Sequence, residues 1–337
     1  MLIQKGNLKM FRSENYNYTF NKENGYFERW GKTFEDDPQI APFPEILDLE
    51  ISTGECKGRC NFCYKLNGQP YKETKHMSLE TFKEILKRFN PGLTQIALGL
   101  TNTTSNPDFW NILEECNKQS IIVNFTTHGL DITPEIAKRV SKLCGAAAVS
   151  IVNRDKSYNA VKLFTDEGMK QVNIHCMICK ERLNFAHQLI DDIQTDERLK
   201  KLNAIVFLQY KPKGNNTERF TSPSVEDFKS LVEHCEKVGQ DFGFDSCSAS
   251  MYLKCIEGSP DYEYKSQYCE FCESGIFSSF IDVNSIFYVC SFAEGITEGI
   301  NVLDYDTFDE VWNHPKLQDW RRKLLENGRK CPLYCLN

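Results

Sequence analysis

At 337 residues the chain has room for one large α/β unit with an appendage, and a composition of 41% hydrophobic and 12% aromatic residues excludes disorder. The net charge of −7, with Lys and Glu interspersed rather than blocked, suits a soluble cytoplasmic protein and argues against a general nucleic-acid binder. No stretch approaches the roughly 18 apolar residues of a membrane span, and the opening MLIQKGNLKMFRSENYNYTF holds no apolar core of an export signal, so the fifteen cysteines point to metal before disulfides.

Residues 1–45 read as a β-hairpin turning at Glu23-Asn24-Gly25, followed by the proline-rich, extended DDPQIAPFPEI. From there strands and helices alternate. ILDLEIST (46–53) is a strand and SLETFKEILKRF (78–89) an amphipathic helix capped by Ser78. TQIALGL (94–100) is a strand, and NPDFWNILEECNK (106–118) a helix with Asn106 as cap and Pro107 at its first position. IIVNFTT (121–127), a helix over 133–143, AAAVSIV (146–152), a helix over 156–167, QVNIHCMI (171–178), a helix over 183–196, NAIVFLQY (203–210) and a helix over 224–238 stopping at Gly239 complete the series. Six β–α units with short connections imply a parallel sheet with right-handed crossovers. The expected fold is a partial (β/α)6 TIM-like barrel over 46–239, with a doubly wound sheet as the alternative. In either, the chemistry belongs at the C-terminal strand ends. Past Gly239 the pattern changes: SGIFSSFIDVNSIFYVCSF (274–292) reads as two strands and TFDEVWNHPKLQDWRRKLL (307–325) as one helix with a break at Pro315, giving a small α+β cysteine-rich module over 240–337.

GECKGRCNFCYK (54–65) sets Cys56, Cys60 and Cys63 at C-x3-C-x2-C in the loop after the first strand. Structural zinc takes four ligands, usually from paired knuckles. Three thiols with no fourth Cys or His in the same loop leave one coordination position open, which suits a catalytic centre. With Phe62 before the last cysteine and six β–α units around it, the motif resembles that of the radical SAM superfamily. The resemblance implies that Cys56, Cys60 and Cys63 bind three irons of a [4Fe-4S] cluster, whose fourth iron is chelated by S-adenosylmethionine (SAM). Reductive cleavage of SAM would give a 5′-deoxyadenosyl radical that abstracts hydrogen from substrate, with electrons from an external reductant of the flavodoxin or ferredoxin type. Protein side chains would orient and shield that chemistry.

For SAM itself the resemblance implies contacts from Phe62, from Gly99, Thr101 and Asn102 in ALGLTNTTSNPDF, and from His128 in FTTHG (125–129). Ser150 and Asn153 end the fourth strand, His175 lies on the fifth, and Gln209 and Lys211 end the sixth. The family's Gly-Gly-Glu at the second strand is incomplete, because Gly99 is followed by no Glu. The tail resembles SPASM/Twitch extensions. That implies one auxiliary [4Fe-4S] cluster held by Cys272, Cys290, Cys331 and either Cys247 or Cys335, with FDEVW (308–312) as the helix signature. The substrate expected by analogy is a peptide or protein side chain that is crosslinked, epimerised or oxidised. A small-molecule oxidoreductase, acting on a carbohydrate or cofactor precursor, is the alternative, and a non-catalytic zinc-binding adaptor the second alternative.

Overall fold

The computed structural model describes residues 1–215 and 217–334, so the Cys335 alternative lies outside the described residues. The first segment forms more than the expected hairpin. Four short strands, β1 (Leu2–Lys5), β2 (Leu8–Phe11), β3 (Asn17–Asn21) and β4 (Phe27–Trp30), pair in order as an antiparallel sheet. The expected hairpin is β3–β4; LIQKGNLKMF adds another. Its aromatic face, with Tyr16, Tyr18 and Phe20 buried, seals the N-terminal end of the larger sheet. Fully buried Lys9 donates from Nζ to Leu93 O at 2.5 Å, Tyr18 Oη donates to Gly92 O at 2.5 Å, and Arg29 pairs with Glu45 at 3.1 Å.

The alternating segment folds as read: β5 (Ile46–Glu50), α1 (Leu79–Arg88), β6 (Gln95–Gly99), α2 (Phe109–Lys118), β7 (Ile122–Thr127), α3 (Pro134–Leu143), β8 (Cys144–Ser150), α4 (Arg154–Asp166), β9 (Gln171–Ile178), α5 (Leu183–Thr195), β10 (Ala204–Gln209) and α6 (Val225–Val238). Local chemistry sets most helix ends: Ser78 and Thr133 accept from the backbone N–H three residues on, Ser224 and Asp227 form a capping box, and Gly239 closes α6 in the left-handed region. The entry to α2 differs from expectation. Helix geometry begins at Phe109 with Asp108 in the cap position: Asn106 stands two residues ahead, its Oδ1 accepting from Asp108 N–H at 2.8 Å while its amide hydrogens go to the buried carbonyls Ile51 O and Met77 O, each at 2.8 Å.

Strands β5 to β10 lie side by side in chain order, all parallel. A doubly wound sheet reverses direction at a switch point; an unreversed series of right-handed crossovers puts every helix on one face, so the arrangement is the partial barrel. Along β5 the alternation is plain. Leu47, Leu49 and Ile51 are fully buried towards the helices, which leaves Asp48 and Glu50 facing inwards.

The last segment adds strands at both edges. After α6, β11 (Phe242–Phe244) pairs parallel with β10, and α7 (Ala249–Cys255) and α8 (Tyr262–Ser266) lead to β12 (Ser278–Ile281), which pairs parallel with β5 and carries β13 (Ile286–Tyr288) and β14 (Ile300–Asn301) antiparallel beyond it. The expected single helix is two, α9 (Phe308–Trp312) and α10 (Pro315–Glu326), since Pro315 has no N–H to continue α9 and instead opens α10 under His314. No helix among the described residues is long and apolar enough to cross a membrane. Trp312, 1% exposed, donates from Nε1 to Ala41 O at 2.9 Å and joins the last segment to the first. Replacing Trp312 with Phe leaves that buried carbonyl unpaired and lowers unfolding stability by about 1–3 kcal/mol in urea titration of the reduced chain.

Candidate active site

The three-cysteine loop leaves β5 at Ile51 and is wound so tightly that its backbone needs left-handed residues. Gly54 (φ +86) is one: a Cβ there would lie 2.4 Å from Thr74 Cα. Asn67 Oδ1 accepts from the Gly54 N–H at 2.9 Å and Gly68 N–H donates to Gly54 O at 2.7 Å, closing the loop at its neck. On the opposite side Gly214 (φ +87), in the loop after β10, packs so closely that a Cβ would meet Cys63 O at 2.4 Å. The fold thus presses this loop between the ends of its first and sixth barrel strands. Cys56, Cys60 and Cys63 all reach the same cavity, and each lies within electrostatic range of another. Burial pushes the Cys60 thiol up to about 12 and raises Cys63, so without a counter-charge both stay protonated.

Asn102, at the end of the second barrel strand, clamps this loop. Its Oδ1 accepts from Lys57 N–H at 2.9 Å and its Nδ2 donates to Glu55 O at 3.1 Å. His128 completes the clamp: Nδ1 accepts from Leu130 N–H at 2.9 Å, so the ring proton sits on Nε2 and points to Asn102 Oδ1 at 3.1 Å. Burial lowers the His128 pKa, with Asp131 opposing, which favours this neutral tautomer. Thr101 is buried beside it, bonded to Ser52 and Ser105.

A cavity of about 490 Å³ opens over the C-terminal strand ends. Of the residues expected around SAM, Phe62, Gly99, Thr101, His128, Ser150, His175, Gln209 and Lys211 line it. Asn102 acts instead through the loop, and Asn153 caps α4, accepting from Lys156 N–H at 3.0 Å. Burial brings the His175 pKa down to about 4, and Nδ1 lies 3.4 Å from Thr126 Oγ1.

Sequence reasoning named Lys211 but passed over the other charges in this wall. Lys65, two residues past Cys63, pairs with Glu50 at 3.0 Å and with Glu294 of the last segment. Lys211 pairs with Asp245 at 2.7 Å and contacts the Cys247 thiol; burial alone would lower its pKa, but Asp245 and Cys247 outweigh that and raise it. Arg182 lies 4.8 Å over the Phe62 ring and faces Cys60, with its Nε unpartnered. Asp48 faces inward from β5. ILDLE already carried a sign of the acidic pair, acids alternating with leucines.

The last segment roofs the cavity. Phe280, Ser291 and Phe292 line it, Tyr64 stacks on Phe292 with centroids 4.3 Å apart, and Lys213 Nζ donates to Ser291 O, Phe292 O and Glu294 O at 3.2, 3.0 and 2.6 Å. Behind this roof Cys247, Cys272, Cys290 and Cys331, from four separate chain segments, act on one another electrostatically. Cys269 is not among them: its Sγ approaches Lys265 O at 3.9 Å. Among the described residues, no three His, Cys, Asp or Glu are grouped as a site for a single metal ion.

The described residues thus form a parallel partial barrel with three thiols from one loop beside a roofed cavity at its C-terminal mouth. Residues 51–153 match the model of the radical SAM superfamily, which makes that segment a radical SAM domain and the chain a radical SAM enzyme of unassigned reaction. The fold is similar to Streptococcus suis SuiB in a crystal structure bound to precursor peptide SuiA, at TM-score 0.72 and 15% identity, over 95% of this chain and 90% of that one. SuiB bound to S-adenosylmethionine matches at TM-score 0.66 and 18% identity, over 84% and 68%. Native anSMEcpe with bound AdoMet matches at TM-score 0.63 and 17% identity, over 86% of each chain. These likenesses show a shared fold. No curated protein matches the chain. The enzyme assignment replaces the zinc-binding adaptor.

Two consequences are measurable. Asn102→Ala removes three hydrogen bonds from the clamp, at about 1 kcal/mol each, and lowers iron retained after desalting of the reconstituted protein more than Asn153→Ala does. His175 takes up its proton far later folded than unfolded, so its contribution is lost as pH falls from about 6.5 to 4. In the reduced, iron-free chain, wild type therefore loses up to about 3 kcal/mol relative to His175→Gln over that interval, measured by denaturant titration.

Proposed function

We propose that the chain modifies a peptide or protein side chain by radical chemistry, with one auxiliary [4Fe-4S] cluster under the roof. The gathering of Cys247, Cys272, Cys290 and Cys331 from four distant positions carries the auxiliary-cluster part of this reading. The donor set at the mouth fits a catalytic cluster. Cys56, Cys60 and Cys63 would hold three irons, and the cavity beside them has the volume of a cofactor and substrate site. When bound, the cluster and SAM supply a one-electron cleavage that yields a hydrogen-abstracting radical. Gly99 leaves the second strand end bare for close approach, while Thr101, Ser150 and Gln209 offer polar contacts around the bound SAM. Arg182 presents the cation for its carboxylate.

The roof residues Phe280 and Phe292 and the Tyr64 stack keep water from the reacting atoms, and Lys213 holds that roof shut through backbone carbonyls. Lys211 orients Cys247 from beneath, as an outer-shell partner does for a metal ligand. In division of labour, residues 1–45 seal the barrel bottom, 46–239 carry SAM chemistry and 240–337 hold the auxiliary cluster. A flavodoxin- or ferredoxin-type partner supplies the electron, and a reducing cytoplasm suits the half-buried free thiols of the loop. A peptide substrate is favoured by the fold shared with SuiB, whose structure contains a precursor peptide, and anSMEcpe, which has a peptide-bound structure.

Anaerobic reconstitution tests the reading. Wild type should take up about eight iron atoms per chain and cleave SAM to 5′-deoxyadenosine under dithionite. Replacing Cys56, Cys60 and Cys63 by Ala should halve the iron and abolish cleavage, whereas replacing Cys247 and Cys290 should halve the iron and leave cleavage measurable. Uptake of zinc with no SAM cleavage overturns it.

A further inference from the structure

After the cavity charges are paired, one carboxylate is left over. Lys65 is taken by Glu50 and Glu294, and Lys211 by Asp245. Asp48 lies on the inward face of β5 with its side chain against the cavity, yet among the described residues it accepts no hydrogen bond and meets no cation. The one charge recorded as acting on it is another carboxylate, Glu273, which is already paired with Arg29 at 3.4 Å. Burial pushes the Asp48 carboxyl up to about 6, with Glu273 adding to the shift. Its strand neighbours are Ala97 on β6 and Phe280 on β12, in direct register on either side. Ala97 leaves room in front of the carboxylate, and the Phe280 ring lines the same wall. Tyr64, close enough to feel the Asp48 charge, adds a further ring. Asp48 is half-buried, and even a partly desolvated carboxylate without a counter-charge is costly, so folds rarely retain one without use. The Phe280 ring already carries the Lys65 ammonium 4.9 Å from its centroid and the Tyr64 ring is stacked on Phe292, so the match to a cationic nitrogen rests on the carboxylate that lacks a counter-charge.

We propose that Asp48 anchors the substrate by pairing with a protonated amine or guanidinium. The substrate class is thus a cationic one, with the nitrogen held against the floor of β5. This rests on the cavity being the substrate chamber of a radical SAM enzyme, so the test keeps the two apart.

Wild-type protein reconstituted with iron and loaded with SAM is titrated calorimetrically with Nα-acetyl-lysine N-methylamide and with its norleucine isostere, which lacks the charge. A parallel pair, n-pentylamine and 1-pentanol, distinguishes a free small amine from a peptide side chain as the source of the cation. In at least one pair the cationic probe should bind wild type tenfold or more tightly than its neutral match. Asp48→Asn should abolish the difference and Asp48→Glu should keep part of it. Because Asp48→Asn removes an unpaired, half-buried charge, it should also raise Tm by roughly 2 °C or more, which a structural aspartate would not do. Absence of any cation preference in wild type, a preference surviving in Asp48→Asn, or a lowered Tm overturns the proposal. SAM cleavage by wild type under dithionite, measured on the same samples, reports the radical reading separately: its absence would sink that reading while leaving the cation preference to stand or fall alone.

Discussion

The ammonium of Lys65 is the junction on which the site depends. It is 9% exposed and held between Glu50 at the end of the first barrel strand and Glu294 in the roof. An ammonium so buried is tolerable only with opposite charge on it, and removing either partner would strand the other charges in a poorly solvated place. Because Lys65 follows the last loop cysteine by two residues, that requirement ties strand, cysteine loop and roof into one arrangement. Neighbouring contacts repeat the connection by other means: the Tyr64 ring against Phe292, and Lys213 against three roof carbonyls.

The second organising feature is how the cavity disposes of charge. Paired ions serve as fixed structure: Lys65 with its two glutamates, Lys211 with Asp245. Groups left without partners, Arg182 at Nε and Asp48, lie in different parts of the wall, one near Phe62 and Cys60 and the other next to Phe280. A site built to hold an anionic carboxylate group and a cationic substrate side by side would show this separation, because each unpaired protein charge waits for its ligand counterpart. The clamp of Asn102 and His128 is neutral because burial disfavours the charged imidazole, whose Nε2–H points to Asn102 Oδ1.

Much of the architecture was legible from local chemistry. Alternating periodicities and caps such as Ser78, Thr133 and the Ser224–Asp227 box marked the six β–α units to within three residues. Misreadings arose where a distant partner overrode a local preference. Asn106, expected to cap α2, is anchored ahead of it by amide bonds to the distant carbonyls of Ile51 and Met77. LIQKGNLKMF was missed as a hairpin because its inward Lys9 breaks the apolar alternation; that lysine is buried only because Leu93 O lies where Nζ ends.

The sequence by itself determined the class of chemistry: three cysteines in one tight loop after a strand, and a second set scattered towards the end of the chain. It also determined that a parallel sheet would carry them, since spacing, periodicity and caps act over a few residues. The tertiary structure decided the strand order that makes the sheet a barrel, the meeting of Cys247 with Cys272, Cys290 and Cys331, and the choice of which acids are paired. Those depend on approaches between residues tens to hundreds of positions apart, such as Lys65 to Glu294 and Asp48 to Phe280. No local pattern encodes whether a buried carboxylate will find a cation, because that is settled only when the chain has closed around it.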